Sequence, residues 1–117
     1  MDLEAVVLAA LSSLPCCSQS AFEQEELPLP VIVAAQDNCR VLARADGMPY
    51  LEEMEITLHV YAKTLTELKT LSLSAHEAVT ALGLSCLSQA RDHDETAWAH
   101  HLTLRYRAVL CGDTIYQ

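Results

Sequence analysis

Regular alternation of apolar and polar residues near the end of the chain constrains the fold more than any other feature. From Trp98 to Leu110 the even-numbered positions are mostly apolar, and the odd-numbered positions include a histidine and two arginines. Side chains on a strand point alternately to opposite faces, so this pattern predicts a strand with one buried face. At about 3.3 Å per residue the strand would span roughly 43 Å, whereas a domain of this size has a radius of gyration of about 13 Å. We therefore expect a neighbouring subunit to cover its end, as in an assembly protein rather than an enzyme.

Length and composition indicate one globular domain over residues 1–117, with 51% hydrophobic and 20% charged residues. No apolar run approaches the roughly 18–20 residues needed to cross a bilayer. The apolar segment at residues 5–14 is short and follows the acids Asp2 and Glu4, so it makes a poor signal peptide. We expect a protein that is cytoplasmic at synthesis and has no membrane partner.

The formal net charge is −9, and residues 1–39 contain six acids but neither lysine nor arginine. Nucleic-acid binding depends on Lys and Arg to neutralise phosphates, and the chain has only seven such residues. Direct binding of DNA or RNA is therefore not expected. An acidic surface repels phosphates, however, and so lets DNA slide past without sticking.

Cysteine and histidine spacing does not predict a metal or cofactor site. The five cysteines are odd in number, and none occurs in a C-x-x-C motif; vicinal Cys16-Cys17 is a weak metal or redox signal, and reduced thiols are the simpler interpretation. His100 and His101 are adjacent on a strand and face opposite ways, although His93 and His100 could face each other across a hairpin. A metal site needs three or four convergent ligands, so we expect surface or interface histidines and no cofactor.

The predicted order of elements is α-β-β-β-α-β-β. Asp2 caps a helix over residues 3–14, which Pro15 ends, and residues 15–28 are an acidic loop. Thr64 and Glu67 form a capping box for a second helix that Gly83 closes. Strands are predicted at residues 31–35, 39–45, 54–62, 84–91 and 98–110, with turns at 36–38, 46–49 and 92–95.

These elements predict an α+β fold, with an antiparallel or mixed sheet of about four to five strands, a long C-terminal hairpin and two packing helices. The second helix presents an apolar stripe of Leu65, Leu68, Leu71, Ala75, Val79 and Leu82. We expect this stripe to pack on the face that carries Ile56, Leu58 and Leu104.

Arg105 and Arg107 share the polar face of the last strand with His101, and we predict a subunit contact there. Arginine pairs with carboxylates bidentately and tolerates burial at interfaces. A neighbour's acids could come from the loop at residues 23–26, which includes Glu25 and Glu26, or from Glu52 and Glu53. The alternative is pairing of the arginines with acids of the same sheet, with Glu52-Glu53 in a solvated loop. Trp98 and Tyr106 are expected to anchor the core or an interface.

The chain resembles a known family in the order of its patterns. An N-terminal helix and an acidic loop come before Leu27-Pro28-Leu29-Pro30-Val31-Ile32-Val33, and the strand at residues 55–62 runs directly into a helix. An acidic turn and a Trp then precede Leu102-Thr103-Leu104-Arg105-Tyr106-Arg107. These patterns, over residues 2–110, are similar to the tail terminator (tail completion, tail-to-head joining) proteins of long-tailed bacteriophages and prophages. The resemblance implies a ring, commonly a hexamer, that ends tail tube polymerisation. Its partners would be the tail tube protein and the head connector, with DNA passing through the lumen. The protein would reside in the virion tail, and in the host cytoplasm during assembly.

Two alternatives remain from the sequence. The first is another head–tail connector or a minor capsid component of similar size. The second is a small α+β enzyme or ligand-binding domain that uses Cys/His chemistry, although the chain has no Gly-rich phosphate loop and no nucleophile elbow. Such a domain would need a pocket that gathers several of Cys16, Cys39, Cys86, His93 and His100.

Overall fold

The computed structural model describes residues 2–18, 29–45, 48–94, 99–112 and 114–116. The elements, in chain order, are α1 (Leu3–Ala10), β1 (Cys16–Ser18), β2 (Val31–Ala45), β3 (Met48–Ala62), α2 (Leu65–Ala81), β4 (Ser85–Asp94), β5 (Ala99–Cys111) and β6 (Thr114–Tyr116). They form one mixed sheet with the order β1-β2-β3-β5-β4, in which β6 also pairs with β5. The predicted α+β class is confirmed, as are the two helices and the long C-terminal hairpin.

β2 is a single strand of 15 residues, so the turn predicted at residues 36–38 is wrong. The pairing of β2 with β3 instead shifts register between Gln36 and Cys39, where Gln36 lies opposite Ile56 and Cys39 opposite Met54. This shift in register is a β-bulge, because β2 has one more residue here than β3. The polar residues of β2 fit the bulge, and the strand continues through it. Thr57 Oγ1 donates a hydrogen bond to Asp37 in the bulge, which ties it to β3.

The first helix is shorter than predicted, because it ends at Ala10 with Leu11 as its C-cap rather than at Leu14. Asp2 caps it as expected, accepting a hydrogen bond from the Ala5 amide at 3.1 Å. The chain then turns, and the amide of Ile32 donates to the carbonyl of Pro15 at 2.8 Å. This contact brings β1, in a segment predicted to be loop, into parallel pairing with β2.

The core lies between the two helices and one face of the sheet, hereafter the helix face. In β3 and β5 this face consists of even-numbered residues, with Leu58 opposite both Ala34 of β2 and Leu104 of β5. Leu68, Leu71, Ala75 and Val79 of the predicted stripe are buried there, whereas Leu65, which was expected in the same stripe, is 37% exposed. The core cluster contains Leu3, Val7, Leu11, Ile32, Ala34, Met54, Ile56, Leu58, Val60, Ala62, Leu68, Leu71, Ala75, Val79, Leu84, Leu104, Tyr106, Ala108 and Leu110.

β5 has 13 residues, the same length as the strand predicted from the alternation, but it does not extend alone. β3 pairs with it from Ala62 opposite His100 to Leu51 opposite Cys111. Along this edge β5 is covered by β3 of the same chain, and the expected cover of its end by a neighbouring subunit stays a prediction. Strands of matched length give the molecule its elongated shape, with extents of 51 × 27 × 24 Å.

Candidate subunit interface on the polar face of the sheet

The odd-numbered residues of β3 and β5 form the face opposite the helices, which we call the polar face. Alternation along each strand puts the predicted interface residues His101, Arg105 and Arg107 there together. The antiparallel register sets Tyr61 beside His101 and Glu55 beside Arg107. The polar face thus carries a histidine–tyrosine cluster toward one end and a group of ion pairs toward the other.

Two ion pairs join β5 to β3 on the polar face. Arg105 Nη2 lies 3.0 Å from Glu55 Oε2, and Arg107 Nε lies 2.9 Å from Glu53 Oε2. Both pairs run diagonally across the strands with the same offset, a separation that long side chains can bridge. The sequence alternative of pairing within one chain is what the structure contains.

Two side chains of β2 also contact the glutamates of these ion pairs. Arg40 Nη2 lies 3.1 Å from Glu53 Oε2, the same oxygen that Arg107 contacts. Asn38 Nδ2 donates to Glu55 Oε2 at 3.2 Å. The hydrogen bond from Arg107 lowers the pKa of Glu53 most, and Arg40 adds to this lowering. Glu53 is therefore held as a carboxylate by donors on both neighbouring strands.

Each arginine still exposes much of its side chain, 46% for Arg105 and 40% for Arg107. A guanidinium carries five N–H donors, and one nitrogen of each contacts a glutamate in these pairs. The two residues can therefore contact a second molecule without losing their partners on β3, and a subunit contact here stays a prediction.

The predicted acidic partners have different positions from those expected. Glu52 and Glu53 lie within β3 and not in a solvated loop, because β3 begins at Met48. Adjacent strand residues face opposite ways, so Glu53 is on the polar face and Glu52 is not. Glu52 Oε2 instead accepts a hydrogen bond from the Cys39 thiol at 3.2 Å, which raises the pKa of Cys39. Glu25, Glu26 and Trp98 lie outside the described residues.

The histidine–tyrosine cluster was not predicted from the sequence. His59 Nδ1 lies 3.0 Å from His101 Nε2, and the hydroxyl of Thr103 is 3.3 Å from that same nitrogen. The Tyr61 ring stacks on His101, with centroids 4.4 Å apart and planes within 9°. Burial lowers the pKa of His59 most, the charge of His101 lowers it further, and Asp37 opposes both. Alternation places His59 and Tyr61 on one face, but only the strand register puts them beside His101.

The structure does not gather the residues that Cys/His chemistry would need. No group of three His, Cys, Asp or Glu side chains in the part of the chain that the structure describes is placed to hold a metal ion. None of the five cysteines forms a disulfide bond, and Cys16, Cys39 and Cys86 lie on three different strands. Burial raises the pKa of Cys16, whose thiol lies 3.4 Å from the carbonyl of Leu11. His93 and His100 are opposite each other in the β4–β5 pair, as the sequence suggested.

Comparison of the chain with protein-family models and with curated proteins gives no match. Within the described ranges, no helix is both long and apolar enough to span a bilayer.

Proposed function

We propose that this chain is a structural protein of a phage tail, a terminator whose copies close into a ring at the head-proximal end. The ring would stop polymerisation of the tail tube and join the tail to the head connector. The resemblance in sequence pattern supports this function. The observation that carries it is a sheet in which both edges have long stretches with no strand beside them among the described residues.

Four long strands of the sheet alternate in direction in the order β2, β3, β5 and β4, since each neighbouring pair is antiparallel. β1 pairs with β2 only from Ile32 to Ala34, so the rest of that edge has no strand beside it among the described residues. β4 forms the opposite edge, and its residues from Ser85 to Arg91 are all exposed. In the part of the chain that the structure describes, both edges therefore present backbone donors and acceptors that no neighbouring strand pairs with.

An even number of alternating strands has a consequence for assembly. A second copy in the same orientation would present β4 to the β2 edge of the first copy, and the two strands would run antiparallel. Pairing of this kind is a common mode of recognition between sheets. The contact is heterologous, and heterologous contacts that repeat around an axis close into rings. Edges left open this way otherwise invite uncontrolled aggregation.

The charge of the chain fits a ring through which DNA passes. With 16 acids against seven Lys and Arg residues, each copy contributes a net charge of −9. A ring of such copies would repel phosphates, which allows DNA to move through the lumen without binding.

The test is capping of tail tubes. Tail tube protein of the same phage is polymerised with and without the purified chain, and tube lengths and tube ends are compared by negative-stain electron microscopy. We expect shorter tubes that carry a ring at one end. Attachment to head connector rings alone would favour the alternative of another connector component, and attachment to neither would refute the proposal.

A matched pair of variants sharpens this test. Ser88→Lys with Ala90→Lys adds charge to the exposed β4 edge, where neighbouring lysines discourage strand pairing. Thr66→Lys with Thr70→Lys adds the same charge to exposed positions of α2, outside both edge strands. We expect the first variant to lose capping and the second to retain it.

A further inference from the structure

A groove lies between α2 and the β4–β5 hairpin, on the helix face and at the β4 edge. It consists of two adjoining cavities of about 230 and 390 Å³ that share Lys69, Gln89 and Leu102. We call it the β4 groove. Its floor is apolar, with Leu104 buried beneath it and Leu73 left 60% exposed at its side. A ligand that fits it must carry apolar groups.

Two cations border the β4 groove. Lys69 projects from α2 and Arg91 from β4, and none of the described residues that line the groove is acidic. Neither cation takes part in an ion pair in the described part of the chain, whereas Arg40, Arg105 and Arg107 each do. In a chain with more than twice as many acids as bases, unpaired cations at an apolar groove indicate an acidic ligand.

A buried hydroxyl supplies a second, independent indication. Ser72 lines the β4 groove and is only 7% exposed, and its Oγ has no hydrogen-bond partner in the structure as described. Buried hydroxyls normally have partners, and an unsatisfied one destabilises the fold. A carboxylate or carbonyl oxygen entering the groove would accept this hydrogen bond.

The chain itself contains a segment of the matching chemistry. Residues 22–27 read Phe-Glu-Gln-Glu-Glu-Leu, with three carboxylates between two large apolar side chains, and no lysine or arginine occurs before residue 40. In the sequence this segment lies between β1 and β2, the two strands at the edge of the sheet opposite β4. A head-to-tail contact between copies brings that edge of one copy beside the β4 edge of the next.

We propose that the β4 groove binds the acidic segment at residues 22–27 of a second copy of this chain. Lys69 and Arg91 pair with its carboxylates, the Ser72 hydroxyl donates to one of its oxygens, and its phenylalanine or leucine covers Leu73 and Leu102. The inference rests on the proposed ring, in which the β1–β2 edge of one copy lies beside the β4 edge of the next.

The test uses a fluorescein-labelled peptide with the sequence of residues 20–29, titrated with the full chain and followed by fluorescence polarisation. We expect saturable binding that weakens when salt rises from about 50 to 300 mM, because the ion pairs become screened. Lys69→Gln with Arg91→Gln should weaken binding about tenfold or more, the equivalent of one charge-assisted contact. Ser72→Ala should weaken it severalfold without lowering the thermal midpoint, since the hydroxyl is unsatisfied in the free chain.

Two controls distinguish binding in the β4 groove from nonspecific electrostatic attraction. Lys63→Gln with Arg40→Gln removes the same charge away from the groove and should leave binding unchanged. A peptide with all three glutamates replaced by glutamine should not bind. Absence of binding, or equal binding to the groove variant, overturns the inference.

Tail tube capping distinguishes this inference from the proposed function. If the groove variant still caps tail tubes, the docking site is wrong and the ring proposal stands. If the peptide binds but tubes are never capped, the docking site stands and the terminator function fails.

Discussion

His59 Nδ1 lies 3.0 Å from His101 Nε2 across the paired strands β3 and β5. A hydrogen bond between two imidazoles needs one nitrogen that accepts, so at least one of the rings must be neutral. The cluster around them consists of Tyr61, Thr103 and, from the β2 bulge, Asp37. The charge of Asp37 favours protonation of His59, and burial together with His101 outweighs it.

This lowered pKa of His59 predicts that stability falls as the pH drops. The unfolded chain takes up a proton at His59 near pH 6.5 while the folded chain resists it, so the unfolded state binds more protons and is favoured below that pH. His59→Gln should flatten the dependence of the free energy of unfolding on pH between about 7.5 and 5.5. Denaturant melts across this range check it. His100→Gln, on the helix face, is the control, and an unchanged slope in His59→Gln would contradict the prediction.

Leu104→Ala should lower the free energy of unfolding by about 2–5 kcal/mol, because it leaves a cavity where α2 meets the sheet. Leu104 is 1% exposed and Leu71 packs in the same cluster, so Leu71→Ala should act similarly. Leu73→Ala removes the same atoms from an exposed position of α2 and should change stability by no more than about 0.5 kcal/mol. Urea denaturation measures all three. A loss below about 1 kcal/mol for Leu104→Ala would mean that the core is misplaced.

Thr64→Ala should cost about 1 kcal/mol, because the Thr64 hydroxyl caps α2. It accepts a hydrogen bond from the Glu67 amide at 3.2 Å. Thr66→Ala removes a hydroxyl from the first turn of the same helix without touching the cap, and serves as the matched control. Thermal melts followed by circular dichroism distinguish the two. Equal midpoints for both variants would show that the cap contributes nothing.

Arg105→Gln with Arg107→Gln should leave the fold intact and impair assembly, if the polar face is a subunit contact. Neutral replacements are preferable to Arg105→Glu with Arg107→Glu, because new carboxylates would lie against Glu53 and Glu55 of the same chain. Light scattering at tens of micromolar, beside circular dichroism, is the measurement. Where the wild-type chain is monomeric in isolation, capping of tail tubes replaces light scattering.

Arg40→Gln serves as the control for the arginine pair, since it removes a contact to Glu53 from a side chain that is 70% exposed. It leaves Arg105 and Arg107 in place, so it should assemble normally. A mass distribution of the double variant that equals the wild type would show that the polar face is not an interface.

The sequence determined the features that depend on local spacing. Alternation along β5, the capping box at Thr64, the apolar stripe of α2 and the glycine at position 83, where φ is 102°, all follow from contacts within a few residues. These features were enough to predict the α+β class and the packing of Leu71 against the sheet. The same alternation correctly put Arg105, Arg107 and His101 on one face.

Only the tertiary structure decided which residues meet across strands. The register between β2, β3 and β5 pairs Glu53 with both Arg107 and Arg40, and it pairs His59 with His101. A one-residue slip of a strand would move each of its side chains to the other face. The bulge after Gln36 and the parallel pairing of β1 also arise from contacts with distant strands, so local spacing predicted a turn and a loop there. Register is set by the summed packing of the whole sheet, which no single segment encodes.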